Sequence, residues 1–339
     1  MSGHDVTVRA AIVGLGRWGR RLVDAVQGAG AAGSSERIRF VRGWNRTADK
    51  AREFAAQHGF DLAEDFESLL RDPGIDAIVL ATPHSQHVEQ TLACAQAGKA
   101  VYVEKPLALH HAQAVQVALA CRQAGVVLAV GHNRRFLPAV QALMQMAAAG
   151  ELGQLLHVEG NFSGSFGFDY DDTAWRANPS EAPGGGLTLM GVHILDAMIA
   201  MMGPIAALSA TSVRQVLTIE LDDTSSATLR FASGATGYMS TLTATPRLFR
   251  LQLFGTRGWA HVLDHEVLEV CDASGQVRRQ TFPRDDAERL ALEHFARAVR
   301  GAGAFPVTLP QVLNGIAAVE AFVESTQRNG ELVELPQGG

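Results

Sequence analysis

The chain has 339 residues, 47% of them hydrophobic and 19% charged, which suits a globular protein with two domains that each bury a core. Its net charge of -6 presents no broad basic surface to phosphates, so the sequence argues against nucleic acid or an anionic membrane and for a small-molecule partner. No apolar run is long enough to span a bilayer, and MSGHDVTVRAAIVG lacks a charged segment leading into a signal-like apolar stretch; a cytoplasmic location is expected.

The first third alternates short apolar runs with helical patterns. VRAAIVG is followed by a helix to about Gln27, IRFVRGW by a helix through AREFAAQHG, AIVLAT by VEQTLACAQAG, and VYVEKP by a helix over 112–124 that leads to VVLAVGHN. Such alternation predicts parallel strands joined by crossover helices, a doubly wound sheet whose ligands sit beyond the carboxyl ends of the strands. GAGAAGSS, from Gly28 to Ser35, reads as a flexible surface loop. After about Gly150 the runs become HVEGNF, LSATSV, TIELDD, SATLRFASGATGYMSTL, LFRLQLFG and WAHVLDHEVLEV, β-branched or aromatic and broken by Gly, Asp and Ser. They predict a large, mostly antiparallel open sheet, with helices over 187–202, 285–300 and 309–328, the last packing back on the first domain. The expected α/β chain therefore divides into a dinucleotide-binding Rossmann domain over 1–130 and a substrate-binding domain over 131–339. Cys94, Cys121 and Cys271 are odd in number, far apart and without C-x-x-C spacing, so buried thiols are expected rather than disulfides or a metal site.

GLGRWG supplies Gly14, Gly16 and Gly19, with Leu15, Arg17 and Trp18 between them, directly after the first apolar run and before a helical pattern. In that context the glycines permit a tight turn, close approach of a pyrophosphate to backbone N–H groups, and tight packing of helix on strand. The end of the second strand, GWNRT, selects the cofactor. A carboxylate there would accept from the ribose hydroxyls and repel a 2′-phosphate, but Asn45 is neutral, Arg46 and Thr47 suit a phosphate, and Lys50 adds charge one turn later. NADP is expected over NAD, with NAD remaining possible; stacking of Arg46 on the adenine is the alternative role for that residue.

Only three lysines occur, Lys50, Lys99 and Lys105, and the last follows a strand's carboxyl end, where a nicotinamide ring would lie. An ammonium can lose its proton when burial lowers its pKa, whereas a guanidinium stays charged. In LTLMGVHILDAMIAMM, Leu189, His193 and Asp196 are spaced to share one face of a helix. Two ionisable groups on so apolar a helix need water, a partner or a substrate.

With VEKPL and the PGGG-to-HILD segment added, the chain resembles the Gfo/Idh/MocA family of oxidoreductases over nearly its whole length. ATPHSQHVEQTLACAQAGKAVYVEKPLA, GHNRRFLPAV, the pair Trp175 and Arg176, and EAFVESTQRNGELVEL all share in the likeness. The resemblance implies hydride transfer between a nicotinamide and a secondary alcohol or ketone of a sugar, polyol or cyclic alcohol. It implies that Lys105 binds the reacting oxygen, that Glu104 positions Lys105, that a cis bond precedes Pro106, and that His193 acts as general acid/base or holds the substrate oxygen; Asp196, on the same helix face, is expected to bond to its ring. Thr82, Pro83 and His87 are expected to line the cofactor cleft, His87 otherwise lying on a helix surface. Trp175 and Arg176 are expected near the nicotinamide, and Asn133, Arg135, Asp169 and Asp196 are candidate substrate contacts. The resemblance and the apolar strands together imply a homodimer or homotetramer through the C-terminal sheet.

One position departs from the pattern. Family enzymes acting on sugars and inositols commonly carry an aspartate one turn before the histidine, where this chain has Leu189. Either Lys105 and His193 suffice, or Asp169 or Asp196 substitutes, or the substrate is less polar than a sugar. A catalytically weak NADP-binding sensor or scaffold, a dihydrodiol dehydrogenase and an imine-type reductase therefore remain as alternative functions.

Overall fold

A computed structural model describes residues 7–28, 33–171 and 173–336. The predicted loop over 28–35 falls partly outside these residues, as does most of the N-terminal segment before Val8. The chain divides into two units, one comprising residues 1–108, 112–133 and 286–308, the other 109–111, 134–285 and 309–339.

The first unit runs β1 (Val8–Val13), α1 (Arg17–Gln27), β2 (Ile38–Trp44), α2 (Asp49–Gln57), β3 (Asp61–Leu62), α3 (Phe66–Arg71), β4 (Ala77–Leu80), α4 (His87–Gln96), β5 (Ala100–Val103), α5 (His111–Ala124) and β6 (Leu128–Val130). Its strands form a 6-stranded parallel sheet in the order β3-β2-β1-β4-β5-β6. The order reverses between β1 and β4, and in such sheets the crevice at the reversal is the ligand site. β1, β4, β5 and β6 are almost wholly buried, as continuous apolar runs must be when helices cover both faces. Lys99 is also buried here, its Nζ donating to the carbonyls of Asp72 at 2.6 Å and Ile75 at 2.8 Å, which gives one of the three lysines a structural role.

In the second unit α6 (Pro138–Ala148) precedes β7 (Leu155–Ser163), α7 (Val192–Met202), and β8 (Ile205–Val213) through β9 (Thr224–Phe231), β10 (Thr236–Leu242), β11 (Leu248–Gly255), β12 (Gly258–Leu263), β13 (Val267–Asp272) and β14 (Val277–Thr281). The chain then returns to the first unit as α8 (Ala287–Val299), and α9 (Leu309–Gln327) and β15 (Val333–Glu334) complete the second. Helix α8 thus belongs to the first unit, and the terminal helix packs on β8 and α7 within the second. The 9-stranded sheet has the order β14-β13-β12-β11-β7-β10-β9-β8-β15 and is antiparallel except for the β10–β7 pair. Helix α7 presses closely on one face: a Cβ on Gly160 would meet Ile194 at 2.4 Å and Met198 at 2.8 Å. The opposite face is largely polar, with Glu159 paired to Arg250 at 3.3 Å and Glu269 to Arg279 at 3.5 Å.

TIELDD is not a strand. Its alternation is real, but Leu217, Ile219 and Leu221 project into a small apolar cluster instead of a sheet, and Asp223 Oδ2 accepts from the backbone N–H groups of Gln215, Val216 and Leu217. The helix expected over 187–202 begins instead as a π-helical turn, Leu187–Gly191, which α7 continues. Cys94 and Cys121 are buried and Cys271 partly so, all as free thiols. No helix among the described residues is long and apolar enough to cross a membrane.

Candidate active site

The glycine turn sits at the β1–β4 reversal, and each of its glycines meets a different demand. Gly14 has φ +92°, and a Cβ there would lie 2.7 Å from the Ala81 carbonyl oxygen. A Cβ on Gly19 would strike the Gly14 carbonyl oxygen at 1.9 Å, so only glycine lets α1 pack so close. Gly16 faces open space, with nothing within 4 Å of its Cβ position. No side chain caps α1 and no acid occupies its first turn, which leaves the N–H groups of that turn and the positive end of the helix for an anion. These features fit a dinucleotide pyrophosphate.

At the end of β2, Asn45 Oδ1 accepts from Leu15 N at 3.0 Å and its Nδ2 donates to the Thr47 carbonyl at 2.8 Å. Asn45 therefore braces the glycine turn. Arg46, Thr47 and Lys50 are exposed, Arg17 is exposed, and Arg20 lies over the Phe54 ring while donating to the carbonyls of Leu15 and Lys50. The first acid of α2, Asp49, pairs with Arg52 at 2.9 Å.

After β4, Thr82 is buried and donates to Gln90 Oε1 at 2.6 Å, with Pro83 partly exposed beside it. His87 is fully buried, so the helix-surface role is excluded. Its Nδ1 lies 2.7 Å from the Pro106 carbonyl and its Nε2 3.0 Å from that of Thr82, which ties the segment after β4 to the segment after β5. Glu104 and Lys105 follow β5 directly, and the Lys105–Pro106 bond is cis, as the resemblance implied. Burial pushes the Glu104 carboxyl up to about 7, against the opposing pull of the Trp18 indole and the Lys105 ammonium and with a further push from Glu288. The indole is near, yet Trp18 Nε1 and Glu104 Oε1 do not close into a well-formed hydrogen bond. Asn133 also belongs to this unit, donating to Glu288 Oε1 at 2.8 Å.

In the second unit His193 is buried, with its ring centroid 6.0 Å from that of Phe162. Asp196 does not bond to the histidine ring as expected. Its oxygens take Arg135 in a bidentate pair, Nη2–Oδ1 2.5 Å and Nε–Oδ2 2.9 Å, and Arg135 also donates to Gln311 Oε1 at 2.8 Å. With exposures of 2% and 4%, Arg135 and Asp196 are committed to each other and are poor candidates for substrate contacts. Asp169 is exposed in a short 3-10 turn, and the Arg176 guanidinium stacks 4.1 Å from the Trp175 ring. Leu189 lies in the π turn, where the i→i+5 spacing changes the helix face, and packs with Ala177, Ala182, Leu217, Ile219 and Leu221. The single face read from the sequence thus gives way to three different surroundings for Leu189, His193 and Asp196.

Sequence reasoning missed Glu288, whose link to Asn133 spans 155 residues. It also missed His265, held at about 3 by burial and then by Arg134, Arg247 and Arg284, with its ring against Phe249 and Phe162. Successive positive φ values at Asp264 and His265 mark a tight turn between β12 and β13, and the Asp in LDHE was the available signal.

Known proteins share both units. The sequence signature described as "Oxidoreductase family, NAD-binding Rossmann fold" matches residues 8–132, and that of the "GFO/IDH/MocA C-terminal domain" matches 140–261. The chain is 29% identical to scyllo-inositol 2-dehydrogenase (NAD(+)) of Bacillus subtilis (strain 168), over 97% of this chain and 96% of that protein. It is 30% identical to trans-1,2-dihydrobenzene-1,2-diol dehydrogenase of Sus scrofa, over 65% of this chain and 64% of that one. A putative NADPH-dependent oxidoreductase from Desulfitobacterium hafniense DCB-2 superposes with a TM-score of 0.87 at 26% identity, covering 97% of each chain. With its glycine turn at the sheet reversal and both signatures in sequence order, the chain belongs to the Gfo/Idh/MocA family of oxidoreductases.

Proposed function

We propose that this oxidoreductase prefers NADP and acts on a secondary alcohol, or its ketone, in a sugar, polyol or cyclic alcohol. The observation that carries the cofactor preference is the end of β2: Asn45 is spent on bracing the glycine turn, while Arg46, Thr47 and Lys50 stand exposed where a 2′-phosphate would need donors and positive charge. A single charge-assisted contact contributes about 1.5–3 kcal/mol, roughly ten- to 150-fold in affinity. Dissociation constants for NADPH and NADH, measured on one preparation, test this. Tighter binding of NADPH supports it and equal or tighter binding of NADH refutes it.

The bound nicotinamide would accept or supply the hydride. Lys105 holds the substrate oxygen through its ammonium, Glu104 fixes the position and charge of that lysine, and His193 takes up or returns the hydroxyl proton at its imidazole. Turnover of a panel of polyols, sugars, inositols and dihydrodiols, followed by absorbance of the reduced cofactor, tests the reaction class. Tight NADPH binding with no turnover on any of them would favour the sensor instead.

A second reading concerns substrate polarity. Leu189 belongs to an apolar cluster with Leu217, Ile219 and Leu221, and Phe166 and Tyr170 pack against it. That cluster favours a cyclic alcohol with a hydrocarbon face, such as a dihydrodiol, over a fully hydroxylated sugar; a higher kcat/KM on an inositol than on any dihydrodiol would reject it. We also propose a homodimer or homotetramer built through the larger sheet, for which the largely polar outer face implies hydrogen bonds and ion pairs rather than apolar burial. Light scattering showing a monomer would refute the assembly.

A further inference from the structure

Among the buried polar atoms of the first unit that lack a hydrogen-bond partner within the described residues are Trp18 Nε1, Tyr102 Oη, Glu104 Oε1 and Asn133 Oδ1. Tyr102, Glu104 and Asn133 are 0%, 6% and 1% exposed, so bulk solvent is not their partner. Two of these oxygens meet at Gly131. A Cβ on Gly131 would lie 2.8 Å from Glu104 Oε1 and 3.0 Å from Tyr102 Oη, so both oxygens close on the backbone that this glycine leaves bare. The Trp18 indole is near enough to Glu104 to favour its charged form. Asn133 is held by Glu288, whose charge reaches both Tyr102 and Glu104.

The chemistry of the four atoms is complementary. Trp18 and Tyr102 each offer a donor, since burial and the neighbouring acids hold the Tyr102 hydroxyl well above its usual pKa and hence neutral; Glu104 and Asn133 each offer an acceptor. A water molecule accepts two hydrogen bonds and donates two, which satisfies all four atoms at once. Resting on the function proposed above, we propose that one ordered water bridges Trp18, Tyr102, Glu104 and Asn133, and that Glu288 is a positioning residue that sets the charge of the acid beside Lys105.

Glu288 reaches this place because the chain returns to the first unit as α8. Its Oε2 takes the Arg21 guanidinium at 2.9 Å, and Arg21 also pairs with Asp286 at 2.8 Å. The charged and titratable groups shown to act on Glu104 are Lys105 and Tyr102 from the β5 segment and Glu288 from α8, the last itself paired with Arg21 of α1. Two of them act on Glu104 in opposite directions. The negative charge of Glu288 disfavours ionised Glu104, whereas the Tyr102 hydroxyl, acting through the water, favours it.

The test is infrared difference spectroscopy of the protonated carboxyl band in the full chain across neutral pH, with Glu104→Gln assigning the band. A midpoint near 7 is expected in the unaltered protein. Glu288→Gln is expected to lower it, and Tyr102→Phe to raise it, each by about half to one pH unit. The acid limb of kcat/KM is expected to move in the same two directions. A crystal structure is expected to show one water at about 2.6–3.2 Å from the four atoms, lost or displaced in Tyr102→Phe. Absence of that water from a well-ordered map, or midpoints that do not move or move together, would overturn the proposal. Tyr102→Phe removes a single atom and gives the answer even if Glu288→Gln fails to fold. The spectra and the water require no turnover, so an inactive chain would sink the proposed reaction while these readouts still decide the role of Glu288.

Discussion

Two of the buried carboxylates, Glu104 in the first unit and Asp196 in the second, are treated in opposite ways. Asp196 receives a bidentate guanidinium, so its charge is matched where it lies. Glu104 is buried as deeply but is left with an unsatisfied oxygen, a nearby second acid and a carboxyl pushed up to about 7. A closed ion pair fixes a structure and resists change, while an acid poised near neutrality can change charge at little cost, which is the property that the role proposed for Lys105 asks of its neighbour. In the first unit Glu104 is left poised, and in the second Arg135 and Asp196 hold α7, the helix that carries His193.

This contrast can be broken most severely at Lys105. Lys105→Ala is expected to lower kcat/KM by about 10²–10⁴-fold with little effect on thermal stability; unchanged turnover would mean that the poised acid serves no chemistry. At Asp196 the balance should reverse. Asp196→Ala leaves the Arg135 charge buried and unpaired and is expected to cost about 3–5 kcal/mol in denaturant unfolding, with partial recovery when Arg135→Met is added. A loss below about 1 kcal/mol would show that the pair is not the structural anchor described.

A third prediction sharpens the treatment of Glu104. A carboxyl whose pKa is raised in the folded state binds more protons there than in the unfolded chain, so stability falls as pH rises from about 4.5 to about 7. Glu104→Gln should flatten that part of the curve of Tm against pH relative to the unaltered protein; an identical slope would contradict the shift. The smallest effect is expected at the cofactor. Arg46→Ala should weaken NADPH binding by roughly ten- to 150-fold and leave NADH nearly unchanged, whereas equal losses for both would point to stacking on the adenine.

The sequence made the first unit more legible than the second, for a physical reason. Gly14, Gly16, Gly19 and the Glu104–Lys105–Pro106 segment act through neighbours close in the chain or through backbone geometry that glycine alone permits, so their spacing carries the meaning. Asp196 gives no local sign that its partner is Arg135, 61 residues away. Leu189 and the Leu217–Leu221 alternation each looked like part of a regular element, because only their packing against each other shows that the alternation serves an apolar cluster rather than a sheet. For His87 the sequence left a cleft-lining and a helix-surface role open, and the carbonyls of Thr82 and Pro106 at its two ring nitrogens put it in the interior. The return of α8, which brings Glu288 to Asn133, has no local signature at all.

The most direct measurement is turnover with NADP and the best alcohol of the panel for the unaltered chain, Lys105→Ala, His193→Ala and the double variant. If the two groups serve one proton and oxygen transfer, each single change lowers kcat by about 10²-fold or more, and the double variant is scarcely worse than the poorer single one. Full activity in either single variant, or losses that simply multiply, would contradict the account.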